Sequence, residues 1–431
     1  MGTEITLEIA GMTLDWSKNS RGADHGALFQ YADRKRIHSD QFNYEYFEEN
    51  NEDPASMEMG FVRKLKNVLP RLDLLGFTRD QAKLEYLRAV EICKEEDRDD
   101  DTVTPQDIMS FEEFCAFVTS QPVETLDNVY DGEKSDEQIK GRFSGDRSIQ
   151  RIPHPSLYEQ ANGYSERSYF GNLLGFLHPY SVLRLLAENK QNKEADVVWQ
   201  YGPLVENGWA KETEFVPHAR RPQTFLIATE GSSDVHILKH AISILRPEIN
   251  DFFRFIDVEE SHPFSGAGSL VKFAEGLAKI DVHNQVVFLF DNDAEGCDAF
   301  RRINKISLPP NMRATTLPEL KQFRTFSTRG PQGISDADIN GCAAAIECYL
   351  DMASVEGASP LVTWTNYKKD LDRYHGALAD KEAYTKVFLR QTPKSIETGE
   401  YDTSKIRKVL DALVTECTSI AEKALADLGS S

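Results

Sequence analysis

TFLIATEGSSDVHILKHAI (residues 224–242) and QVVFLFDNDAEGCDAF (residues 285–300) decide the fold. Each opens with an apolar run of strand length, stops abruptly at acidic residues, passes through glycine and resumes with helical spacing. In the first, Phe225 to Ala228 gives way to Thr229-Glu230-Gly231, and Asp234 follows four residues after the glutamate. In the second, the run ends in Asp291-Asn292-Asp293, and Gly296 follows. Along an extended segment side chains alternate, so Asp291 and Asp293 lie on one side. Two carboxylates so placed repel each other unless a cation lies between them. One aspartate would suffice as a helix cap, which is the ordinary alternative.

Outward from these stretches the pattern continues. FLIA, DVHILKHAISIL, FRFIDV, SLVKFAEGLAKI, QVVFLF, AEGCDAFRRINK and MRATTL alternate strand-like and helix-like runs from residue 224 onward. This predicts a mostly parallel sheet flanked by helices, an α/β domain. Sites in such sheets form where loops leave the carboxyl ends of strands. Glu230 and the Asp291/Asp293 pair both occupy such ends, so three carboxylates, or four with Asp234, are expected to converge. Oxygen ligands of this kind suit magnesium or manganese.

The first half reads differently, as an α+β, largely helical domain. Ile5-Thr6-Leu7-Glu8-Ile9 alternates as a strand, Gly11 invites a turn, and Met12-Thr13-Leu14 is expected to return. Residues 58–118 are expected to be helical. KEEDRDDDTVTPQD (94–107) reads as a solvated acidic loop, and 118–166 as irregular surface or linker. SYFGNLLGFLHPYSVLRLLAENK reads as a helix pair around Pro179. The polar stretch KETEFVPHARRPQ (211–223) marks the domain boundary.

The 431-residue chain carries a formal net charge of −21, which argues against nucleic-acid binding through a broad basic surface. It leaves room for a local groove in which bound divalent ions supply positive charge. No apolar run approaches the roughly 20 residues of a membrane span, so no membrane association is expected. The N-terminus does not read as a secretory signal. Cys93, Cys115, Cys297, Cys342, Cys348 and Cys417 show no C-x-x-C spacing, which favours reduced thiols in a cytoplasm over a zinc site or disulfides. There is no P-loop motif, so an ATPase controlling this protein would be a separate chain.

E-G-x-x-D at one strand end and D-x-D at a later one resemble the Toprim fold, shared by topoisomerases, bacterial primases and nucleases of the overcoming-lysogenization-defect type. The resemblance covers about residues 222–352. It implies roles for Glu230, Asp291 and Asp293 in catalysis and metal binding, with Asp234 joining as a ligand. In GPQGISDADINGCAAAIECYLDM (330–352), Glu347 resembles the third acidic element of the nuclease branch, with Ala345 where that branch often has serine. The same branch implies a later lysine near the scissile phosphate. Lys386 in TKVFLRQ is the candidate and Lys381 the second choice. Residues 353–431 would then be a helical extension completing the site.

SKN at 17–19 and the helical stretch after it resemble the region found beside Toprim in bacterial HEPN/Toprim-associated proteins. A HEPN ribonuclease pair, R-x4-6-H, is not matched by Arg21/His25 or Arg34/His38, which have three intervening residues. Residues 1–221 are therefore expected to serve assembly, partner contact or substrate guidance. Taken together, the resemblance implies a magnesium- or manganese-dependent endonuclease, with one or two ions, acting in bacterial defence against phage or plasmid DNA. An RNase acting on tRNA, or a metal- and nucleic-acid-binding scaffold subunit, remain open. A homo-oligomer and a separate sensor or ATPase chain are the expected partners besides nucleic acid.

Overall fold

The computed structural model describes residues 2–38, 44–51, 53–99, 107–153, 163–256, 266–280, 282–355, 357 and 359–428. The chain divides into two compact units, 1–219 and 220–431.

The first unit is built on a five-stranded antiparallel sheet. Its strands are β1 (Glu4–Ile9), β2 (Met12–Lys18), β3 (Arg34–Arg36), β4 (Met59–Lys64) and β5 (Asp196–Gln200), in the order β2-β1-β5-β4-β3. Ala10 and Gly11, both at positive φ, make the two-residue turn between β1 and β2. The helices Leu65–Leu74, Arg79–Asp99, Phe111–Thr119, Glu166–Leu174 and Pro179–Leu186 complete the unit. The last two are the expected pair, with Pro179 at the first helical position, where its missing N–H costs nothing.

One expectation fails here. Residues 59–64, read as the start of a helical stretch, form β4. Phe61 is buried and pairs with Trp199 across the β4–β5 ladder, so burial in a sheet overrides a locally helical pattern. Of the acidic stretch 94–107, residues up to Asp99 belong to a helix rather than a loop. Residues 100–106 lie outside the described residues.

In the second unit the predicted alternation is present. The strands β6 (Phe225–Ala228), β7 (Phe253–Phe255), β8 (Gln285–Phe290) and β10 (Met312–Thr316) form a parallel sheet in the order β10-β8-β6-β7. Val286 to Phe290 are all buried, as a central parallel strand requires. Val286, Phe288 and Phe290 pack with Leu270 and Val271 of the helix Ala267–Lys279 and with Ala299 and Ile303 of the helix Ala294–Ile303. The helix Ser404–Leu428 packs against β8, β10 and the helix Ser232–Leu245. Its buried positions Ile406, Val409, Leu410, Leu413, Cys417 and Ile420 recur at helical spacing. The unit thus has mixed α/β content with a parallel sheet and helices.

Beyond β9 (Asn292–Asp293), a second sheet is present that the sequence reading did not foresee. β11 (Phe326–Gly330), β12 (Gly333–Ala337), β14 (Val362–Lys368) and β15 (Arg373–Leu378) take the order β12-β11-β14-β15. The two-residue β13 (Ala343–Ala344) pairs with β9. Residues 353–431 are therefore not wholly helical. They contribute the β14–β15 hairpin before the helices Lys381–Phe388 and Ser404–Leu428. None of the six cysteines, all among the described residues, is in a disulfide.

Candidate active site

β6 and β8 are parallel neighbours, with Ala228 opposite Phe288. Their carboxyl ends therefore lie side by side, and Glu230 leaves one as Asp291 leaves the other. The Asp291 N–H donates to Glu230 Oε1 at 3.0 Å. The contact is tight enough to dictate the next residue type. A Cβ on Gly296 would stand 2.3 Å from the Asp291 carbonyl oxygen and 2.9 Å from Glu230 Oε1. Only glycine lets the helix Ala294–Ile303 start that close.

Asp293 is the N-cap of that helix, its Oδ1 accepting the Gly296 N–H at 2.7 Å. Asp234 Oδ2 likewise accepts the Gly231 N–H at 2.9 Å at the start of the helix Ser232–Leu245. The capping role is thus real for both, and each spends only part of its acceptor capacity. Glu347 is buried in a short 3-10 turn, Ile346–Tyr349, rather than in a longer helix. Its Oε1 accepts the Ser233 hydroxyl at 2.9 Å.

The five acids feel one another. Burial, then the charge of Asp293, push the Glu230 carboxyl up to about 8. Burial, then Glu347, push Asp234 up to about 7. Asp291 is raised well above the usual carboxylate range by burial and by all four of the other acids. Asp293 is raised by burial, which outweighs the Gly296 N–H and His375. Closely spaced carboxylates with little water cannot all ionise without a cation.

Two basic groups reach the cluster. Lys381 Nζ stands 3.7 Å from Glu347 Oε1. His375 Nδ1 stands 3.7 Å from Asp293 Oδ2. Lys386 is exposed on the same helix as Lys381, and among the described residues no ion pair ties it to the acids. The structure therefore brings Glu230, Asp234, Asp291, Asp293, Glu347 and Lys381 together and leaves Lys386 apart.

The donor set fits a hard divalent ion, being all carboxylate oxygen with negative charge in excess. The cage is not preformed. Among the described residues no three His, Cys, Asp or Glu side chains stand close enough to enclose a metal ion as they are.

Residues 1–223 match HEPN/Toprim N-terminal domain 1. The chain belongs to this family. No curated protein and no solved structure matches it. The family match ends just before β6, so it identifies the first unit, while the carboxylates lie in the second.

Sequence reasoning about this HEPN/Toprim chain missed three residues at its site. Ser233 follows Glu230 in the quoted stretch but carried no motif of its own. His375 lies on β15, whose sequence RYHGAL is too short and polar to announce a strand. Asn292, between the two aspartates, is a structural hub. Its Oδ1 accepts the Gly341 N–H at 2.7 Å, and its backbone pairs with Ala344 in β13. D-x-D here therefore needs asparagine in the middle to tie down the loop that delivers Glu347.

Proposed function

We propose that this chain is a divalent-metal-dependent nuclease of the Toprim type, its site related to the overcoming-lysogenization-defect nucleases. One observation carries the reading. Five carboxylates meet at and around the ends of two adjacent parallel strands, buried enough to repel one another, with Lys381 and His375 as nearby counter-charge. Such an arrangement is costly for folding and is expected where function needs it. Asp291, Asp293 and Glu230 would hold magnesium or manganese, with Asp234 and Glu347 beside them. A bound ion of this kind lowers the pKa of attacking water and offsets charge on a phosphate. Glu230, held by the Asp291 N–H, keeps its second oxygen available to accept a proton. Lys381, near Glu347, would oppose negative charge developing on the phosphoryl group.

DNA is the favoured substrate and a role in defence against phage or plasmid the favoured setting. Both follow from the nuclease resemblance. A tRNA-directed RNase would use the same residues. The first unit would serve assembly or partner contact in a cytoplasmic homo-oligomer, with any controlling ATPase a separate chain. A second reading, a scaffold that binds metal and nucleic acid without turnover, draws support from the cage not being preformed.

The deciding experiment incubates the protein with plasmid DNA and with total RNA, in magnesium, manganese or excess EDTA. Cleavage in either metal that stops in EDTA is expected, with manganese at least as effective as magnesium. Full cleavage in EDTA would rule the mechanism out. Binding without cleavage would favour the scaffold.

A further inference from the structure

The β14–β15 hairpin has two unlike faces, and one is already committed to the carboxylate site. Lys368, opposite Arg373 in the ladder, donates from Nζ to Glu295 Oε1 at 2.5 Å. Arg373 Nη1 donates to the Gly341 carbonyl at 3.3 Å, and His375, two residues on, faces Asp293. Side chains alternate along a strand, so Tyr367 and Tyr374, which also pair, lie on the other face. Their rings are 5.0 Å apart, and Tyr374 is 5.8 Å from the indole of Trp364.

This aromatic row is built, and it is open. Gly376 is opposite Trp364, and a Cβ there would lie 2.9 Å from the indole, so glycine lets the ring settle onto the strand. Tyr367 is oriented by donating its hydroxyl to Asp372. Yet Tyr367 is 46% exposed and Tyr374 52% exposed. Rings fixed in place and left in water lose apolar burial that a partner would restore.

We propose that this hairpin is a stacking platform for single-stranded nucleic acid, holding unpaired bases next to the carboxylate site. The inference rests on the nuclease reading and adds the substrate form to it. Three features favour this occupant over a protein. The hairpin reaches the site through His375 on Asp293, with Lys368 on the neighbouring Glu295, so an occupant of the hairpin lies near the site. Tyrosine and tryptophan faces accept any base, as a sequence-tolerant enzyme needs. Lys369, exposed at the tip next to Tyr367, can meet a phosphate between stacked bases. A duplex offers its base faces only at its ends, because its bases already stack on each other. Asp370 and Asp372 share the tip, so local charge is slight, and stacking must supply most of the hold.

The test measures fluorescence anisotropy of labelled twenty-nucleotide oligo-dT, oligo-rU and a blunt duplex, with the whole protein in calcium. Wild type is expected to prefer either single strand to duplex, with a shallow salt dependence of about one phosphate contact, a slope near −0.7. Tyr367→Ala with Tyr374→Ala is expected to weaken single-strand binding about thirtyfold or more, since each of the two lost stacks contributes about fivefold or more. The double Phe variant should bind as wild type, which also controls for folding. Single-strand affinity unchanged in the Ala variant, or lost equally for duplex, would overturn the platform while the nuclease reading stood. The same holds if the Ala variant changes oligomeric state in light scattering with binding intact. Wild type that binds no nucleic acid at all would overturn both readings.

Discussion

Glu230→Gln should make the metal-free protein more stable, although it removes a proposed site residue. Glutamine keeps an oxygen to accept the Asp291 N–H, so the local hydrogen bond survives. What disappears is a carboxyl pushed up to about 8 from an ordinary 4.5. A folded-state pKa above the unfolded one means the folded group holds a proton the unfolded chain releases. Wild type therefore loses stability as pH rises from about 4.5 to about 8, and the variant lacks that loss. At pH 7 the displacement spans about 2.5 pH units, or about 3 kcal/mol, and solvent at the partly open site trims it to about 2 kcal/mol. For a unit of this size that is about 4–8 °C in melting temperature. The assay is thermal melting in EDTA at pH 6, 7 and 8.5. The gap between variant and wild type should widen with pH. Saturating magnesium should raise the wild-type melting point and leave the variant nearly unmoved, because a ligand stabilises only the state that binds it. A variant that melts below wild type at pH 8.5 in EDTA would refute the claim that repulsion governs these carboxylates.

The two lysines of the helix Lys381–Phe388 should separate in kinetics. Lys381→Ala is expected to slow cleavage at least tenfold at saturating metal, and Lys386→Ala to change it less than twofold. Steady-state rates on one substrate check both, and equal effects would undo the assignment by proximity to Glu347. In the first unit, His25 bonds Asp15 through Nε2 at 2.9 Å and Tyr180 through Nδ1 at 3.1 Å. The His25 hydrogen bond holds the Asp15 carboxyl below its ordinary value. That stability is present above the unfolded pKa of Asp15 and lost as pH falls through the lowered folded one. Asp15→Asn should therefore cost about 1–2 kcal/mol at pH 7, with the difference from wild type shrinking as pH falls through the lowered folded value, read by urea unfolding across pH.

The parallel sheet was legible because its two central strands, β6 and β8, are buried almost throughout. QVVFLF and FLIA need no partner to be recognised, and the acids that end them stand out against apolar runs. β4 was misread because MGFVRK owes its strand state to the β5 and β3 ladders, which are far away in sequence. β14 and β15 escaped notice for the opposite reason. VTWTNYK and RYHGAL are half-exposed, so no alternation betrays them, and with them went His375. Proximity of Lys381 rather than Lys386 to Glu347 depends on how a helix docks against a loop, which periodicity does not encode.

The most direct test of the account is cleavage by a single folded preparation carrying Asp291→Asn and Asp293→Asn. Asparagine can still cap the helix Ala294–Ile303, so a melting curve should show the fold intact and, without metal, more stable than wild type. The same sample, given manganese and the nucleic acid that wild type cuts, should cleave more slowly by orders of magnitude. A folded double variant that cuts like wild type would show that these carboxylates do no more than cap a helix.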